Sequence, residues 1–131
     1  MEVARERTAS VAVAAATDLI AVLTFVLIGR VSHDEGPLGL FGTAWPFLGG
    51  LAVGWVVMRA WRQPRRIVWT GVGVWVATVV GGMLLRLASG QGTQLAFVLV
   101  ATAALGVLLI GWRALSLLVA RVRRQDSPEP D

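Results

Sequence analysis

Two ionisable residues lie inside long apolar runs of the sequence, where a charged side chain is costly. Asp18 and Arg113 each lie eight residues from the nearer polar or charged edge of such a run. At 1.5 Å per residue this is roughly 12 Å, a depth at which a charge costs about 2.5–3.5 kcal/mol in a bilayer. The matching depths predict an Asp18–Arg113 pair. Ala14 and Ala21 share the helix face of Asp18, which predicts that this face meets another helix.

Asp18 has two chemical interpretations. Intramembrane acids often mark ion pathways, so Asp18 could exchange a proton or contact a charged solute during transport. Alternatively, Asp18 is structural, either paired with Arg113 or protonated and hydrogen-bonded. In the structural interpretation Arg113 could also simply end its helix, with its head group reaching the membrane interface.

Arg30 and Arg86 end two apolar runs on the same predicted side of the membrane. The following helices begin near the same level, and their positive dipole ends would add to the two guanidinium charges. The arrangement predicts a patch that attracts an anion or contacts lipid headgroups.

The short segment with Ser32, His33, Asp34 and Glu35 is the other place where reactive side chains cluster. One histidine and two acids are weak evidence for a metal site. The sequence has no cysteine, which excludes disulfides, thiol catalysis and iron–sulfur clusters. A nucleophile, a base and an orienting group do not occur together, so we expect no enzyme activity, no cofactor and no metal.

Four apolar runs must position these residues, and they are long enough to cross about 30 Å of hydrocarbon. They cover residues 11–29, 38–58, 67–85 and 95–112, with a helix that could continue to Ala120. The hydrophobic fraction of 56% is more than a soluble domain of this size could bury. The sequence predicts an all-α membrane protein, a bundle of four transmembrane helices over residues 11–120. Residues 1–10 form an N-terminal segment, and the polar end, residues 121–131, is expected to be disordered.

The arginines predict the orientation. The chain has 12 basic residues, all arginine, and nine of them lie before the first run, between the second and third, or after the fourth. The two remaining loops hold only Arg30 and Arg86. The positive-inside rule therefore places both termini in the cytoplasm of a multi-pass protein of the cell membrane. Because the arginines edge apolar runs and do not form a face, nucleic acid is not an expected partner.

Tryptophans mark the predicted membrane interfaces. Trp45, Trp61 and Trp69 lie near the ends of runs, as headgroup anchors do, and Trp112 could do the same. Trp55 and Trp75 lie deeper and are expected to pack between helices.

Small residues recur at helix-contact spacing in the second and third runs. In lipid, such residues let helix backbones approach closely. The pattern predicts helix interfaces but leaves open whether they form within one chain, in a homo-oligomer or with another membrane protein. The residues concerned are Gly50, Gly54, Gly73, Ala77 and Gly81.

A repeat is suggested at an offset of 50 residues, because Gly42-Thr43 with Phe47 matches Gly92-Thr93 with Phe97. Each threonine could cap its helix through the side-chain oxygen. Either a helical hairpin is duplicated about the membrane normal, or both helices simply need a glycine turn and a cap.

The order of several motifs resembles an uncharacterised prokaryotic membrane family, domain of unknown function 3054. The most specific stretch is TAWPF at residues 43–47. The resemblance covers roughly residues 18–113 and implies a short multi-helix membrane protein without an assigned activity. The other residues that carry it are Asp18, Gly29-Arg30, Ser32-His33, Gly54-Trp55, Trp75, Thr78, Arg86, Gly92-Thr93 and Gly111-Trp112-Arg113.

Two functions are compatible with these patterns. The first is a small transporter or permeation protein that uses Asp18 and, since four helices enclose little space, works as an oligomer. The second is a non-transporting accessory or scaffold protein that binds a partner through its small-residue stripes. Membrane lipids are expected partners in either case.

Overall fold

The computed structural model describes residues 1–126, with the backbone alone at Pro37. The helices are α1 (Glu2–Ser32), α2 (Leu40–Met58), α3 (Val72–Ala88) and α4 (Leu95–Gln125). A 3₁₀ turn, Pro37–Gly39, precedes α2, and a π-helical turn, Ile67–Gly71, precedes α3. The part of the chain that the structure describes contains no strand. The predicted all-α bundle of four helices is confirmed. All four are long and apolar enough to cross a membrane when the π-helical turn is counted with α3, as the span Ile67–Ala88.

The outer helices of the sequence, α1 and α4, are longer than predicted. α1 begins at Glu2 and takes up most of the segment that we assigned to residues 1–10. α4 runs through Gln125, so the disorder predicted from residue 121 is wrong for residues 121–125. Glu2 lies in the first turn of α1, and Arg123 and Arg124 lie in the last turn of α4. These charges interact favourably with the helix dipoles and so stabilise both helix ends. Residues 127–131 of the predicted tail lie outside the described residues.

Glycines bring α2 and α3 into backbone contact. A Cβ on Gly81 would lie 2.9 Å from the Cα of Gly50, and a Cβ on Gly50 would lie 2.8 Å from the Thr78 carbonyl oxygen. One turn along, a Cβ on Gly54 would lie 2.9 Å from the Cβ of Ala77. These pairs run in opposite directions along the two helices, which are therefore antiparallel. The small-residue stripes thus serve an interface within the chain.

The ends of this interface are filled by larger side chains. Phe47 packs against Gly82, where a Cβ would clash with the ring. The Phe47 ring also meets Phe25 of α1 edge-on, with ring centroids 5.4 Å apart, and Phe97 of α4 at 6.1 Å. Gly73 faces the side chain of Met58. The aromatic cluster joins α1 and α4 to the α2–α3 pair at one end of the bundle.

The loops α1–α2 and α3–α4 close in the same way. Arg30 Nε donates to the Gly36 carbonyl at 2.9 Å, and Arg86 Nε donates to the Gly92 carbonyl at 3.0 Å. In both loops a residue with positive φ, Asp34 or Gly90, lies four positions after the arginine. The two closures are offset by 56 residues.

The Gly-Thr motifs are offset by 50 residues and the loop closures by 56. The two offsets differ because the loop between α1 and α2 is longer than the loop between α3 and α4. It contains the 3₁₀ turn, which is absent between Gly92 and α4.

The capping predicted for Thr43 and Thr93 is wrong. The N-caps are Gly39 and Gln94, and Thr43 lies inside α2, where its hydroxyl accepts from Arg30 Nη1 at 2.7 Å.

The close approach of α2 and α3 predicts the effect of a single added methyl group. Gly50→Ala should lower the free energy of unfolding in detergent by about 1–3 kcal/mol, because the new Cβ meets backbone atoms that cannot move alone. Gly111→Ala is the matched control, since no atom lies within 4 Å of its Cβ position, and it should leave stability unchanged or slightly raised. Equal effects of the two substitutions would contradict the proposed contact.

Candidate functional site

Asp18 is the centre of the most highly connected polar cluster in the described residues. Its carboxylate accepts four hydrogen bonds. Oδ1 accepts from Arg113 Nη1 at 2.9 Å and from the Trp112 indole at 2.7 Å. Oδ2 accepts from Arg113 Nη2 at 2.6 Å and from the Trp55 indole at 2.8 Å. The structure thus brings Asp18 and Arg113 together in a bidentate ion pair, as their depths predicted.

The other donors of Arg113 bind backbone carbonyls. Nε donates to Pro64 in the loop between α2 and α3 at 2.8 Å, and Nη1 also donates to Leu109, one turn earlier on α4, at 2.8 Å. The guanidinium carbon lies 4.7 Å from the centroid of the Trp112 ring, a cation–π distance. Arg113 is fully buried. The alternative in which its head group reaches the interface is therefore wrong, because the partners that satisfy it lie inside the bundle.

Three of the four helices and one loop contribute to this cluster, which we call the Asp18 cluster: Asp18, Trp55, Trp112 and Arg113. α1 supplies the acid, α2 supplies Trp55, and α4 supplies Trp112 and Arg113. The loop before α3 supplies the Pro64 carbonyl. Gly71, at the end of the π-helical turn, supplies space, since a Cβ there would lie 3.2 Å from Arg113 Cδ. Because Gly71 has no side chain, the end of the π-helical turn can lie close to the Arg113 side chain.

The hydrogen-bond pattern fits an ionised carboxylate. All four groups around Asp18 are donors, and a carboxylate is an acceptor only. A proton on either oxygen would face a donor already in place. Asp18 has 0% exposed surface, so no solvent reaches the pair in this conformation. Chemically, the arrangement is a closed and saturated ion pair.

The part of the Asp18 cluster that sequence reasoning missed is the pair of indoles. Trp55 was expected only to pack, and Trp112 was considered as an interface anchor. A signal was present, because Trp55 and Trp112 each follow a glycine, Gly54 and Gly111, on the two even-numbered helices. The tryptophan indole is a donor with no acceptor, so two of them near one buried acid form a recognisable set.

The remaining tryptophans are arranged more simply. Trp45, Trp61 and Trp69 are exposed on the surface of the bundle, where interface anchors would lie. Trp69 donates to the Met58 carbonyl at 2.9 Å, which fixes its ring against the end of α2. Trp75 donates to the Thr102 carbonyl at 2.9 Å and so joins α3 to α4.

Arg30 and Arg86, the predicted anion or lipid patch, direct many of their donors into their own loops. Arg30 also pairs with Glu35 at 3.1 Å. Arg86 donates to the side chain and the carbonyl of Gln91, and its guanidinium carbon lies 4.3 Å from the Phe97 ring centroid. Loop closure accounts for these contacts, and the binding of an anion or lipid there stays a prediction.

The histidine and acids of the first loop do not gather round a common point. Glu35 is engaged with Arg30, and Asp34 takes the positive-φ position of the turn. In the described part of the chain, no group of three histidine or acidic side chains is placed to hold a metal ion.

The comparisons with known proteins add one finding. No curated protein and no solved structure matches the chain. A family model described as a protein of unknown function, DUF3054, matches residues 15–116. This range includes Asp18, both indole donors and Arg113, and it is well over half of the sequence. The chain therefore belongs to the family of domain of unknown function 3054.

Proposed function

We propose that this protein is a non-transporting accessory or scaffold protein of the cell membrane, without enzyme activity, in which the Asp18 cluster holds the helices in register. The observation that carries the proposal is the saturation of Asp18. Its two oxygens accept from four donors, and Arg113 is itself satisfied by two backbone carbonyls.

The same geometry argues against a transport role for Asp18. A carrier residue must exchange its proton or its ion with water on at least one side. Asp18 and Arg113 are both completely buried, and Asp18 lines neither the surface groove beside Trp112 nor the one beside Trp69. Releasing the carboxylate would break a bidentate pair and leave Arg113 buried without its partner, which costs about 3–5 kcal/mol. A structural role requires no such step.

An accessory protein also needs a surface for a partner, and the small-residue stripes do not supply it because they face each other within the chain. α4 continues about 18 Å past Arg113 to Gln125, and α1 begins about 24 Å before Asp18, at 1.5 Å per residue. Both helix ends thus extend past the Asp18 cluster. Leu115, Leu118 and Val122 are among the exposed apolar side chains there. We assign the partner contact, with another membrane protein or a second copy, to these projecting helices.

We further propose that the projecting ends and the loop between α2 and α3 face the cytoplasm. The support is the arginine asymmetry, nine residues on that side against Arg30 and Arg86 on the other. The four arginines of the loop, at positions 59, 62, 65 and 66, are all exposed.

Single cysteines in this cysteine-free chain test the orientation. Ser32 and Ser89, in the loops closed by Arg30 and Arg86, should react with a membrane-impermeant thiol reagent added to intact cells. Cysteines at Glu6 and Gln63 should react only after the membrane is opened. All four positions are exposed. Labelling of position 63 from outside would reverse the orientation, and labelling of all four positions in intact cells would contradict membrane insertion.

Flux measurements on the purified protein in sealed vesicles separate the scaffold from the transporter. We expect proton, sodium, potassium and chloride fluxes no higher than in protein-free vesicles. Asp18→Asn should not change these fluxes, but it should lower stability, because its amide N–H would oppose Arg113 and the indoles. Glu6→Gln is the matched control, an exposed acid on the same helix, and should change neither property. A protein-dependent flux that disappears in a correctly folded Asp18→Asn variant would overturn the scaffold proposal.

A further inference from the structure

A surface groove is formed by the end of α2, the loop between α2 and α3, and Trp69 of the π-helical turn. It has a volume of about 370 Å³, within the usual size range of small-ligand sites. One wall is basic and the other is apolar. The groove is lined by Val57, Met58, Arg59, Arg62, Gln63, Arg66 and Trp69.

The basic wall holds positive charge that the fold does not neutralise. The ion pairs among the described residues are Arg30–Glu35 and Arg113–Asp18, and neither involves this wall. Arg66 donates to Gln63 Oε1 at 2.8 Å, while the side chains of Arg59 and Arg62 make no described contact. The segment from Arg59 to Arg66 contains no acidic residue. Three arginine side chains along one groove attract an anion that has several oxygen atoms.

The apolar wall shows which kind of anion fits. Val57 and Trp69 are exposed although they are large and apolar, and they continue the surface of the apolar helices α2 and α3. The indole of Trp69 is held by the Met58 carbonyl, so its ring stays against the groove. An amphipathic indole beside arginines is typical of the headgroup level of a membrane. A ligand lying across both walls must be anionic at one end and apolar at the other.

We propose that this groove binds one anionic phospholipid, with its phosphate at Arg59, Arg62 and Arg66 and its acyl chains along Val57 and the ring of Trp69. The charge of the basic wall and the apolar surface next to it complement the two ends of such a lipid. The inference rests on the membrane location in the proposed function. It does not depend on whether the protein transports anything or on which side of the membrane the groove faces.

Native mass spectrometry of the purified protein, released from detergent, tests the proposal by measuring the dissociation constant of the first bound lipid. Dioleoyl phosphatidylglycerol should bind the wild type more tightly than dioleoyl phosphatidylcholine does. Inorganic phosphate at the same concentration should not displace it, since phosphate lacks the apolar half. Arg59→Gln with Arg62→Gln should weaken phosphatidylglycerol binding about thirtyfold, from about 1 kcal/mol for each arginine.

The matched control is Arg5→Gln with Arg7→Gln, which removes the same charge from α1, outside the groove. It should bind phosphatidylglycerol as the wild type does. The loop variant should keep its thermal stability, because neither substituted side chain makes a described contact within the fold. Three results would overturn the proposal: equal binding by the loop variant and the wild type, an equal loss in the control, or displacement by inorganic phosphate. Cysteine labelling reports membrane insertion separately, so a failure of this site and a failure of the proposed location are distinguishable.

Discussion

The bundle depends on one constraint, which is that a carboxylate and a guanidinium are both withheld from solvent at the junction of its helices. Desolvating either ion costs several kcal/mol, and their attraction offsets this only when the remaining donors and acceptors are also satisfied. Here the two indoles complete the carboxylate and two carbonyls complete the guanidinium. These partners come from α2, α4 and the loop between α2 and α3. A shift of any one of these elements would therefore leave a buried charge with an unsatisfied donor or acceptor. The pair thereby couples the register of α1 to that of the rest of the chain.

The two sides of the bundle are joined by different physical interactions. α2 and α3 meet through glycines, so that backbone lies on backbone and dispersion forces act at short range. α1 and α4 are joined by the ion pair and by the indole of Trp112. Lipid offers no hydrophobic drive for helix association, and close packing and polar contacts supply what is missing. The glycine contacts let α2 and α3 approach closely. The Asp18 cluster fixes how α1, α2 and α4 are oriented relative to one another, because its donors and acceptors fit in only one arrangement.

Much of the fold could be predicted because bilayer thickness and the cost of buried charge act directly on sequence patterns. The apolar runs revealed four helices, and the spacing of Asp18 and Arg113 from the run edges indicated the pair. The helix ends could not be predicted in this way, because residues 2–10 and 121–125 are mostly polar and their helical state depends on local propensity and dipole effects. The roles of Trp55, Trp112 and the Pro64 carbonyl needed three-dimensional information. They lie 37, 94 and 49 residues from their partners, and no local pattern fixes such distances. The cytoplasmic orientation and the function stay proposals.

A double-mutant cycle on the free energy of unfolding tests most directly whether the Asp18–Arg113 pair holds the bundle together. The unfolding of the wild type, Asp18→Asn, Arg113→Gln and the double variant would be followed by denaturant titration in mixed micelles. We predict that each single change lowers the free energy of unfolding by about 3–5 kcal/mol, because it leaves the other group buried without its partner. The double variant should lose less than the sum, with a coupling energy above about 1 kcal/mol. Losses that are small or simply additive would contradict the account.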